Sequence, residues 1–160
     1  MRKKTLLVIA NGIAVLSVAA VLMAQGSDIL LGTWTVDLSK SKFSPGPAPK
    51  SNTKKYEPWK DGFFKGTQDV VTAKGDKIHI ELIGKADGKD YPATGSPDTD
   101  TFAIKPLAPR TYEILQKKDG KVILTGKMVI APDGKSRVIT QTGTTAKGEP
   151  INNSVYSDKH

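Results

Sequence analysis

The chain has 160 residues, 24 lysines and arginines against 16 acidic residues for a net charge of +8, and no cysteine. Disulfides, thiolate nucleophiles and cysteine metal ligands are therefore excluded, and two distant histidines, His79 and His160, supply no zinc set. The lysines are scattered, many of them beside turns, rather than gathered in an aromatic-interleaved stripe, which speaks for solubility and edge protection and against a nucleic-acid surface.

Met1-Arg2-Lys3-Lys4 is a positive n-region, and the apolar run Thr5 to Ala24 follows it, broken only by Asn11, Gly12 and Ser17. This pattern predicts a secretory signal helix over residues 1–26, cleaved after Gly26 or after Ala24. A run of about 20 apolar residues also suffices to span a bilayer, so an uncleaved anchor over residues 5–24 is the alternative. Both readings place the domain 27–160 outside the cytoplasm, in the periplasm or the medium, and an export route without disulfides fits a bacterial protein. Removal of Arg2, Lys3 and Lys4 lowers the net charge from +8 to +5. The remaining 134 residues are enough for one domain and too few for two.

Gly32-Thr33-Trp34-Thr35-Val36-Asp37-Leu38 alternates in period two and predicts the first strand. Ser39 to Ser51 carries Pro45, Pro47 and Pro49, cannot donate to a ladder at those positions, and predicts a loop draped over one end of the fold. Beyond it, Gly62, Gly75 and Gly88 recur at intervals of 13, and Gly120, Gly134 and Gly148 at intervals of 14. Four of the six follow an aspartate, the pair that suits a tight hairpin turn. The turns delimit strands at 52–59, 63–73, 110–118, 136–145 and 151–157. In the strand after Gly75, Ile78, Ile80 and Leu82 form an apolar stripe, with His79, Glu81 and Ile83 on the opposite face. Residues 89–97 read as an irregular connection and 99–105 as a further strand. Val122, Leu124, Gly126, Met128 and Ile130 line one face of the strand after Gly120. No window from residue 27 onward shows an amphipathic helix. The prediction is an all-β, antiparallel up-and-down meander of 8–9 strands, closed into a barrel by pairing the strand at Trp34 with the strand at Val155; an open sandwich is the alternative.

Gly32-Thr33-Trp34 resembles the Gly-x-Trp signature on the first strand of lipocalins, barrels that enclose small ligands. That resemblance implies an arginine beneath the tryptophan from the last strand; the last strand here has none, and Arg137 lies one strand earlier. Over nearly the whole domain, Leu31 to Trp34, Lys40 to Ser51, Asp90 to Asp98 and Asn153 to Lys159 resemble a group of uncharacterised, exported, lipocalin-like bacterial proteins. The resemblance implies a barrel and carries no activity.

No nucleophile elbow, phosphate-cradling glycine loop or calcium-loop pattern occurs, and the acids Asp87, Asp90, Asp98 and Asp100 read as turn chemistry. No catalytic residue, metal or cofactor is expected. What remains is the interior of the barrel. The expected ligand-binding residues are Trp34, Ile80, Leu82, Leu124, Met128 and Thr140, with Val138, Thr140 and Thr142 facing inward together with Asn153 and Val155. Three readings follow for a monomeric barrel. It binds a small apolar or amphipathic molecule without catalysis; or it is an envelope protein with a filled core, acting through its basic exterior and the loop Pro45 to Pro49; or it is a hydrolase or isomerase using His79 with a carboxylate.

Overall fold

A computed structural model describes residues 28–145 and 147–160; the expected signal helix or anchor lies outside them. Ten antiparallel strands form a closed barrel. In chain order they are β1 (Gly32–Val36), β2 (Ser51–Pro58), β3 (Phe64–Val71), β4 (Lys77–Gly84), β5 (Tyr91–Thr94), β6 (Thr101–Ala108), β7 (Thr111–Lys118), β8 (Lys121–Ile130), β9 (Ser136–Thr144) and β10 (Pro150–Lys159). Sequential neighbours pair throughout, and β1 pairs with β10 through Trp34↔Lys159 and Val36↔Ser157, which leaves no free edge.

The two-residue hairpin chemistry expected of the Asp-Gly pairs is met in full at one of the four, while Asp87 and Asp133 are not left-handed and only the glycines after them are, at φ 79° and 70°. Between β7 and β8, Lys118 pairs with Lys121, and Asp119 and Gly120 take φ of 50° and 74°. Both central residues are left-handed, as a two-residue I′ turn requires. One turn carries no glycine: Arg110, at φ 60°, reverses the chain between β6 and β7.

The strand count is ten, not eight or nine, because the stretch 89–97 contains β5. This strand is four residues long, includes Pro92, and forms only two residue pairs with each neighbour, Glu81↔Thr94 and Leu82↔Ala93 on one side and Tyr91↔Phe102 and Pro92↔Thr101 on the other. A second correction concerns β8. Gln116 pairs with Leu124 but Lys117 with Val122, so Ile123 is an extra residue in the ladder. The shift turns Val122 outward, 52% exposed, while Met128 and Ile130 stay buried.

The loop after β1 is part of the wall rather than a cover. Lys42 exchanges backbone hydrogen bonds with Ser154 at 2.7 and 2.9 Å, and Asn152 donates to the Ser44 carbonyl at 2.9 Å. It thereby continues the short β1 along β10, whose lower half pairs with β1 itself.

The core lies at one end, where the chain enters through a helical turn at Asp28. Leu30, Trp34, Tyr56, Phe64, Tyr112, Met128, Ile130 and Ile139 are buried there. Tyr56 and Phe64 meet edge to face at 5.4 Å, an arrangement aromatic pairs prefer. The opposite end carries the loop 37–50.

Candidate functional site

Trp34 sits at the bottom of the closed end, fully buried, and its indole N–H donates to the Leu30 carbonyl at 2.8 Å. The guanidinium of Arg137 lies 4.3 Å from the centre of the Trp34 ring and 5.7 Å from that of Tyr56. The arginine that closes this barrel therefore comes from β9, and reaches Trp34 from the strand beyond β10. It is 2% exposed, one of its terminal nitrogens contacts the Met128 sulfur at 3.6 Å, and its Nε has no hydrogen-bond partner among the described residues. Burial lowers its pKa, opposed by the neighbouring Tyr56. Lys159 stands over the same indole at 5.2 Å and donates to the Ile29 carbonyl at 3.2 Å. Aromatic faces, not carboxylates, receive these cations.

Above this floor the barrel holds a cavity of about 20 Å³, about the room of one water. Ile80 and Leu82 of β4, Phe102 and Ile104 of β6, and Ile114 of β7 form its apolar wall, with Tyr56, Lys54, Gln68, Gly66 and Thr67 on the other side. Lys54 is the only charged residue in this lining. Its place follows from register: it pairs with Trp34 and Gln68 and alternates with buried Tyr56, so the strand period that buries the tyrosine also turns the lysine inward. The residue is half-buried. Burial pushes the Lys54 pKa down, the Tyr56 phenol partly restores it, and the Arg137 charge lowers it further. For Tyr56 the upward effect of burial is outweighed by the charges of Lys54 and Arg137, and the net shift is downward.

Toward the open end the interior becomes polar. Gln68 donates to Asn52 at 3.0 Å, the Thr99 hydroxyl to Gln116 at 3.2 Å, and Asn153 to Gln141 at 3.3 Å. These pairs give a hydrogen-bonding ring above an apolar pocket with one ammonium inside it.

Of the residues expected to bind a ligand, Ile80 and Leu82 line the cavity, and Leu124 faces inward at the level of Gln116 and Gly143. Trp34 and Met128 are buried in the floor beneath it. Thr140 is on the outer surface, its hydroxyl on the Lys127 carbonyl at 3.4 Å, and Thr142 is exposed with it. The phase of β9 is set by Arg137 and Ile139, both buried, so Val138, Thr140 and Thr142 face out. Lys54 and Gln68 were missed as interior groups, whereas Arg137 was pointed to only through the lipocalin resemblance. For Lys54 the sequence carries one signal, its alternation with Tyr56.

His79 lies on the outer wall between two carboxylates, with Nδ1 2.6 Å from Asp69 and Nε2 3.3 Å from Glu81, while Lys65 holds Glu81 at 2.9 Å. The Asp69 hydrogen bond chiefly, then that to Glu81, raises the His79 pKa, and Glu81 is lowered by Lys65 and His79. Both ring nitrogens of His79 are thus engaged by carboxylates. Among the described residues, no cluster of three or more His, Cys, Asp or Glu side chains could hold a metal ion.

No family model matches the chain, and no curated protein matches it. Among solved structures, the zebrafish ileal bile acid-binding protein complexed with cholic acid superposes with a TM-score of 0.49 at 14% identity, over 82% of this chain and 99% of that one. A likeness of that degree carries no argument about a ligand. The barrel stands on its own strand register.

Proposed function

We propose that the protein is an exported barrel that binds a small amphipathic molecule with an acidic head, without catalysis. The observation that carries this reading is Lys54: one ammonium in an otherwise uncharged, largely apolar lining, with its charged form disfavoured by burial. A ligand carboxylate or sulfonate beside it would relieve that cost with a charge-assisted hydrogen bond, and the tail would lie against Ile80, Leu82, Phe102, Ile104 and Ile114. Entry requires the lysine and the amide ring to swing aside, since the resting cavity holds about one water.

The test is titration with 8-anilinonaphthalene-1-sulfonate, an anionic apolar probe, and with the uncharged N-phenyl-1-naphthylamine. The charge-assisted bond is worth about 1.5 to 3 kcal/mol, so Lys54→Met should weaken the anionic probe about 10- to 100-fold and leave the neutral one unchanged. A parent protein that binds neither probe refutes the proposal. That outcome favours the second reading, an envelope protein with a filled core, which draws its support from the small size of the cavity.

A further inference from the structure

The closed rim carries an apolar cleft that the core does not use. Trp59, Phe63 and Ile83 line it with Lys60 and Asp61, and its volume is about 310 Å³. Trp59 is 46% exposed and Ile83 42%. The aromatic pair is held in place, because Trp59 N–H donates to the Phe63 carbonyl at 2.8 Å and Phe63 meets Tyr91 edge to face at 5.9 Å. Lys85 lies 4.5 Å over the Phe63 ring, and neither Lys85 nor Lys60 has a carboxylate partner among the ion pairs of the described residues. An amphipathic indole set beside lysines that are free to meet phosphate is the composition of a membrane interface.

Chain path points to the same occupant. Gly32 pairs with Tyr56, so Asp28 to Leu31 and the turn at Trp59 share one rim. The apolar run Thr5 to Ala24 ends four residues before Asp28, a distance of about 14 Å at full extension. With that run retained as an anchor, the alternative to cleavage, the rim with Trp59 is the part of the barrel next to the membrane it enters. We propose that the closed rim docks on an anionic lipid bilayer, with Trp59, Phe63 and Ile83 at the boundary of headgroups and acyl chains and Lys60 and Lys85 on lipid phosphates. This surface is separate from the interior pocket and does not depend on it.

The test uses the full chain reconstituted into vesicles of phosphatidylcholine and phosphatidylglycerol with brominated acyl chains. Trp34 is sealed in the core, so bromine should quench only the Trp59 emission, and Trp59→Phe should remove the quenched component. Each lysine near an anionic surface shifts the docking equilibrium about fivefold, so Lys60→Gln with Lys85→Gln should shift it about 25- to 30-fold toward an iodide-accessible, unquenched Trp59. A Trp59→Phe chain carrying Val122→Trp places the reporter at the far end, where it should stay unquenched. Trp59 emission that lipid bromine does not quench, or quenching that is equal at Trp59 and at Val122→Trp, overturns the proposal. So does shielding of Trp59 from iodide by envelope protein or polysaccharide without any lipid quenching, which assigns the cleft to that partner instead.

Discussion

Arg137 poses the sharpest energetic question in this barrel: whether its charge or its bulk closes the end. The side chain is 2% exposed and wedged among Trp34, Tyr56 and Met128, with one nitrogen unpaired. Stacking of a desolvated guanidinium on the indole contributes about 2 kcal/mol, and its loss of hydration costs several kcal/mol in the other direction. The charge therefore brings no net gain, and the volume of the side chain decides the balance. Arg137→Ala leaves a hole under Trp34, and truncation in a core costs about 2 to 5 kcal/mol; the expected loss is about 3 kcal/mol. Arg137→Met keeps most of the stem and removes the buried charge, so it should stay within about 1 kcal/mol of the parent. Urea unfolding at matched m-values reads both, and the alanine variant should melt about 6 to 12 °C lower. Near-ultraviolet dichroism of Trp34 should weaken in the alanine variant and persist in the methionine variant. If methionine costs as much as alanine, the reasoning fails, and the guanidinium itself holds the floor together.

Two more outcomes follow from the outer wall and the thin seam at β5. Gly95 has φ +86°, and a Cβ there would overlap the His79 carbonyl oxygen, a backbone atom that cannot move aside. Gly95→Ala should therefore cost about 2 to 4 kcal/mol and speed hydrogen exchange in β4 and β5 first; unchanged stability would mean that the seam already yields at this point. His79 is held above its ordinary pKa of 6.5, mainly by Asp69 and then by Glu81. A raised folded pKa means that the imidazolium's contribution is fully present below pH 6.5 and is lost as pH rises through the higher folded value. An NMR titration of the ring should give a midpoint above 6.5, and Asp69→Asn should bring it back toward that value; a midpoint at or below it in the parent refutes the clamp.

The barrel was legible because its determinants are local. Asp119-Gly120 encodes a turn within two residues, and the stripe Ile78, Ile80, Leu82 gives its face by period alone. What escaped depends on how neighbouring strands pair. β5 is too short to show a period, and only β4 and β6 on either side make it a strand. Val122 has the right parity in the sequence, but the extra Ile123 turns it to solvent. The phase of β9 was misread because valine is the better core residue than arginine on transfer alone, whereas here Arg137 finds two aromatic rings and Val138 finds the outside. The cavity lining followed the same rule: Ile80 and Leu82 could be placed inward from the stripe, whereas for Lys54 the composition of the residue argued against the inward place that its alternation with Tyr56 gives it.

Two interior cations in one small barrel raise the question of why only one is assigned to a ligand. Arg137 lies below Tyr56 and Met128, its charge already lies on Trp34, and it is absent from the lining of the cavity. To reach it, a ligand would have to unseat the aromatic floor that holds much of the core. Lys54 pairs across the sheet with Gln68, which bonds Asn52, and, like Gln68, borders the void. Its flexible stem can follow a head group outward, which a stacked guanidinium cannot. The arginine therefore belongs to the floor, and Lys54, with no acidic residue in the lining beside it, is the cation that the proposed binding of an anion uses.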